Sequence, residues 1–175
     1  MPTIEIIALE SESLPDLPPF DNFAYIAETK LCSHRGIFQT DFDQASGIIL
    51  HLGNNDLEGK EDSGWFAGDL IEWTDEEIII PQTKENAGSE QWWGEDQVST
   101  FRFAPDIFKE VRLLLEILLN SSPVKQLYFT TDYQYGPSEG AKRLNYSFNR
   151  FIEEHDRYGL RWNCLYQIRG NLKKV

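Results

Sequence analysis

The sequence predicts an α+β fold: a two-layer domain with a mixed, mostly antiparallel sheet and two C-terminal helices packed on one face. Strand-length segments that alternate apolar and polar residues fill the first half of the chain. A broad apolar stripe at helical spacing runs from Phe108 to Leu119, just after Pro105. Strand and helix patterns then alternate, so that residues 98–175 read β-α-β-α-β.

Ile4, Ile6 and Ala8 alternate with Glu5, Ile7 and Leu9, giving a first strand that stops before Glu10-Ser11-Glu12-Ser13. Pro15, Pro18 and Pro19 lack backbone donors and fix φ, so Leu14 to Phe20 is an extended connector whose apolar side chains lie against the core. Strands are expected over Phe23 to Thr29 and Ser46 to Leu52. The second carries Ile48, Leu50 and Leu52 on one face, with Ile49 and His51 on the other. Gly53-Asn54-Asn55 then turns the chain. Trp65 to Trp73 and Glu77 to Ile80 are short aromatic or β-branched strand segments, the latter ended by Pro81. Gln82 to Gln97 is polar, acidic and weakly periodic, and is expected as a long loop or a lid pinned by Trp92 and Trp93.

Regularity returns at Val98. Phe101 and Phe103 alternate with Thr100 and Arg102 as a strand, and a helix follows from Pro105 to about Asn120. Its stripe of Phe108, Val111, Leu114, Leu115, Leu118 and Leu119 is too wide for a helix washed by solvent, so it is largely buried. Val124 to Thr131 is the next strand. Pro137-Ser138 opens a second helix, with Ala141, Leu144, Phe148, Phe151, Ile152 and His155 at helical spacing and Gly159 as its stop. The last strand places Trp162, Cys164, Tyr166 and Ile168 on one face. Arg161, Asn163, Gln167 and Arg169 fall on the face that meets water or a partner.

At 175 residues, with 41% hydrophobic and 13% aromatic side chains, the chain buries a core without staples and reads as one globular domain over 1–175. Within it, 98–175 is the regular half and 53–97 an acidic, tryptophan-containing irregular insertion. Cys32 and Cys164 give no disulfide framework, and Met1 to Glu5 opens no basic, apolar leader. A cytoplasmic protein without a membrane segment is expected. Charge is segregated: residues 53–97 hold 13 acidic and 2 basic side chains, net −11, whereas 98–175 are net +4. The overall net charge of −13 disfavours nucleic acid and anionic lipid, and the acidic middle points to basic partners or to solubility. Lys142, Arg143, Arg150, Arg157, Arg161 and Arg169 form a modest basic set, of which Lys142, Arg143 and Arg150 are most simply a solvated helix face, with no base-stacking motif beside them. The opposed charges also allow a homo-oligomer joined head to tail.

Two constellations carry candidate chemistry. Trp65, Trp73, Trp92 and Trp93 are interleaved with carboxylates such as Glu90, Glu95 and Asp96, the residue types of a groove for a cationic ligand or a basic protein surface. The competing reading has the indoles plugging core edges while the acids keep loops soluble. The alternative is a small hydrolase- or transferase-like enzyme built on Cys32, His34 and His51 with Asp41 or Asp43, a thiol, imidazole and carboxylate set whose spacing alone specifies neither a nucleophile nor a metal. Asn54-x-Asp56-x-Glu58-Gly59 resembles a calcium loop only at its opening, because its twelfth position is Trp65 instead of a bidentate Glu. Phosphate-loop, dinucleotide, zincin and nucleophile-elbow motifs are all missing, and no cofactor or metal is assigned. Binding without catalysis is therefore the first expectation.

Overall fold

The structure, a computed structural model, describes residues 2–29, 31, 38–42, 45–54, 67–73, 78–81, 95–98, 100–133 and 142–170. In chain order the elements are β1 (Pro2–Leu9), β2 (Ala24–Glu28), a 3-10 turn (Gln39–Phe42), β3 (Gly47–Gly53), another 3-10 turn (Gly68–Leu70), β4 (Ile71–Trp73), β5 (Ile78–Pro81), β6 (Glu95–Val98), β7 (Thr100–Phe103), α1 (Pro105–Ser121), β8 (Gln126–Tyr133), β9 (Lys142–Ser147), α2 (Phe148–Arg157), β10 (Leu160–Arg161) and β11 (Cys164–Arg169).

Six strands make the main sheet in the order β2-β3-β1-β8-β11-β9. Each neighbouring pair is antiparallel except β11 and β9, which run parallel with α2 in the connection between them. Side-chain alternation divides this sheet into two faces. One carries Ile4, Ile6, Ile48, Leu50, Phe129 and Tyr166 into a single large core. Both helices reach that same core, α1 through Val111, Leu114, Leu115 and Leu118 and α2 through Phe148, Phe151 and Ile152. The α+β, two-layer architecture follows: sheet below, helices above on one face. A three-stranded sheet, β10-β7-β4, adds Phe101, Phe103 and Leu160 to the upper layer. On the reverse face a smaller cluster of Ile7, Leu31, Phe38, Phe42, Ile49 and Leu165 is capped by the Gln39–Phe42 turn.

Local structure departs from expectation at four places. The C-terminal order is β-α-β-β-α-β-β, since Lys142–Ser147 is a strand and the second helix begins at Phe148, not near Pro137. Ser147 is the reason: its hydroxyl accepts from the Arg150 amide at 3.1 Å and caps the first turn. Pro137 itself lies outside the described residues. Second, Glu95–Val98 is no loop but a strand paired antiparallel with Ile78–Pro81. Third, within the expected strand from Trp65 to Trp73, Gly68–Leu70 is a 3-10 turn and only Ile71–Trp73 is extended. Fourth, Arg161 does not face water; it is 1% exposed. The final strand is broken at Trp162-Asn163, where Asn163 takes φ 55° and shifts the alternation.

Gly159 ends α2 as expected, at φ +88°. Its amide donates back to the carbonyls of Glu154 and His155, and a Cβ there would come within 2.8 Å of the Phe101 carbonyl oxygen. Among the described residues no helix is long and apolar enough to cross a membrane.

Candidate functional site

Four aromatic residues from four separate elements converge where β4, β7, β8 and the β10–β11 turn meet. Antiparallel pairing sets Trp73 of β4 opposite Phe101 of β7, and Leu160 of β10 opposite the same Phe101. The turn after β10 delivers Trp162, whose ring stacks on Phe101 with centroids 4.1 Å apart. Asn163 fixes this turn to the end of β8, its Oδ1 accepting from the Tyr133 amide at 3.0 Å. Tyr133 and Trp162 are thereby held against Trp73 and against each other, with centroid separations of 5.2 Å and 5.0 Å from the Trp73 ring and 5.9 Å between them. Each separation falls in the range of favourable aromatic contacts.

Exposure across the stack is graded. Phe101 is wholly buried and Trp162 is 9% exposed, whereas Trp73 is 45% exposed on the edge strand of its sheet. Trp162 Nε1 is buried with no hydrogen-bond acceptor among the described residues. Trp73 therefore has an aromatic backing and an open side. Asp69 and Glu72, just before it in the chain, are both exposed, and Asp69 is reached by the Asn54 amide at 3.0 Å. Glu95 and Asp96 lie on β6, opposite Pro81 and Ile80, on the segment that leads directly into β7. Trp65, Trp92, Trp93 and Glu90 lie outside the described residues.

Of the alternative cluster, Cys32, His34 and Asp43 also lie outside the described residues. The two that remain are not brought together. His51 on β3 is paired through Nδ1 with Glu5 of β1 at 3.1 Å and through Nε2 with Glu28 of β2 at 3.5 Å. Asp41 instead takes both its bonds from Arg143 of β9, each at 3.0 Å. The partners of His51 are on β1 and β2, toward one edge of the sheet, whereas the Arg143 partner of Asp41 is on β9 at the other. Among the described residues no group of three or more His, Cys, Asp or Glu side chains is arranged to hold a metal ion.

The two described histidines are shifted in opposite directions. Burial works against the charge on His51, but the hydrogen bond and charge of Glu5, joined by Glu28, outweigh it and hold His51 above its ordinary 6.5. Burial dominates at His155 and holds it below 6.5, against the opposing pull of Asp156. Its Nε2 accepts from the Phe103 amide at 3.1 Å, so Nδ1 carries the proton toward Asp156. His51 thus stabilises the fold fully below its unfolded value near 6.5, and loses that contribution as pH rises through its folded value. His155 contributes above 6.5 and loses its contribution as pH falls through its lowered folded value. Urea unfolding at pH 5.5 and pH 8 should show His51→Gln losing more stability at the acid end and His155→Gln losing more at the alkaline end. Equal losses at both pH values would contradict these assignments.

A buried polar network escaped the sequence reading. Glu154, 0% exposed, accepts from the Tyr146 hydroxyl at 2.7 Å, the Arg161 guanidinium at 3.2 Å and the Tyr166 hydroxyl at 3.3 Å. The Tyr166 hydroxyl oxygen accepts in turn from the Arg161 amide at 2.8 Å. Burial, then the Glu154 charge, raises both phenols well above the ordinary tyrosine value, so both stay protonated and donate. The available signal was Glu154 itself, an acid set between Phe151 and His155 on a helix whose apolar face is buried. No family model, curated protein or solved structure matches the chain.

Proposed function

We propose that the chain is a non-enzymatic binding domain whose acidic, tryptophan-bearing end takes a cationic ligand or a basic protein segment. The observation that supports this most is Trp73: nearly half exposed, backed by Trp162 and Tyr133, and set within the segment of net charge −11. An indole held by aromatic neighbours presents its remaining surface without further loss of side-chain freedom. Guanidinium and ammonium groups are drawn to such a surface by its π-electrons, and the surrounding carboxylates strengthen the attraction. An enzymatic alternative has less behind it, since His51 and Asp41 are each engaged by other partners on separate strands.

Calorimetric titration with a short arginine-rich peptide tests the proposal. Trp73→Ala should weaken binding by roughly 0.5–2 kcal/mol, about two- to thirtyfold. Charge reversal of Glu90, Glu95 and Asp96 to lysine should weaken it further at low salt. Affinity unchanged in both variants would remove the proposal.

A further inference from the structure

A second site lies on the face of the main sheet away from the helices. There a cleft of about 250 Å³ opens between the Gln39–Phe42 turn and strands β8, β9 and β11. That is below the roughly 300–1,000 Å³ of sites for drug-sized ligands, so a single-ring molecule suits it. Phe42 and Leu165, with Leu9 packed against them, give it apolar surface.

Its polar groups are laid out by strand register. Tyr128, Gln167 and Asn145 sit opposite one another on β8, β11 and β9, forming a row of one phenol and two amides about 4.8 Å apart. Gln167 donates its Nε2 to Gln126 Oε1 at 2.7 Å, which leaves its own carbonyl oxygen as an acceptor. Asn145 is exposed and supplies both an amide donor and an acceptor. Among the described residues of the lining the charged ones are Asp41 and Arg143, joined by two bonds of 3.0 Å, so their charges cancel.

That cancellation selects the ligand. An anion drawn to the remaining N–H groups of Arg143 is repelled by the Asp41 carboxylate beside them, and a cation drawn to Asp41 meets the converse repulsion from Arg143. An uncharged ligand keeps the pair intact. We propose that this cleft binds a small uncharged heteroaromatic ring with an amide edge, as in nicotinamide or a pyrimidine base, the ring against Phe42, Leu9 and Leu165 and the edge on Asn145 and Gln167. The site is independent of the aromatic stack around Trp73 and stands or falls separately.

Titration of the full chain with nicotinamide, uracil and nicotinate, followed by NMR of side-chain amides, is the test. Nicotinamide or uracil should move the Asn145 and Gln167 amide signals, with nicotinate at least about tenfold weaker, the worth of one unreplaced polar contact. Asn145→Ala, at an exposed position that leaves the fold intact, should weaken binding by about tenfold, and Gln167→Met should do the same. Failure of both neutral probes to move these signals would overturn the proposal. So would nicotinate binding as tightly as nicotinamide, which would make Arg143 an anion site.

Discussion

Replacing Glu154 by alanine should cost about 3–5 kcal/mol of stability, read as a lowered urea midpoint at pH 7, because the change takes a carboxylate partner from a buried cation. Arg161 is as deeply buried as Glu154, and the carboxylate forms an ion pair with it at 3.2 Å. The same carboxylate accepts both phenolic protons, so its removal leaves the Tyr146 and Tyr166 hydroxyls without that acceptor as well. The network joins α2 to β9, β10 and β11, and the damage should spread to the parallel β9–β11 pair. A double variant, Glu154→Leu with Arg161→Met, separates the charge from the packing. It should recover most of the loss, because a buried pair replaced by apolar residues is often neutral. A loss below about 1 kcal/mol for Glu154→Ala would show that water reaches Arg161 and that the core is not closed there.

Phe129→Ala should be comparably damaging, about 3–5 kcal/mol, through a cavity instead of a charge. Phe129 sits at the middle of β8, wholly buried, with ring contacts to Phe103 of β7, Phe151 of α2 and Tyr166 of β11. Its ring thus links the main sheet to the smaller sheet and to α2. Phe129→Leu keeps most of the volume and should lose well under half as much. Equal losses for the leucine and alanine variants would mean that ring shape, and not filled volume, decides the fit.

The parts of the fold that rest on periodicity were legible in the sequence. The apolar stripe of α1 lies buried residue for residue, and β1 and β3 keep the alternation read from Ile4–Ala8 and Ile48–Leu52. Errors arose where two periodicities overlap. Leu144 lies four residues before Phe148, which mimics one helical face, yet Leu144 and Tyr146 are buried on a strand and Phe148 on the helix that follows. Ser147, a good cap, was the overlooked divider. Arg161 was placed on the wet face by counting in twos through a turn that resets the count. Its burial depends on Glu154 and two tyrosines that are distant in sequence, and no local pattern encodes such a meeting. The aromatic stack was half legible: Trp73 was a candidate from composition, but its backing by Tyr133 and Trp162 depends on strand pairing.

Titrating the chain with an arginine-rich peptide at about 50 mM and again at about 500 mM salt, with Trp73→Ala in parallel, bears most directly on the binding role. The expected result is saturable binding that weakens at high salt and weakens again in the variant. Binding that ignores both the salt and the loss of Trp73 would contradict an acidic, aromatic site for cations.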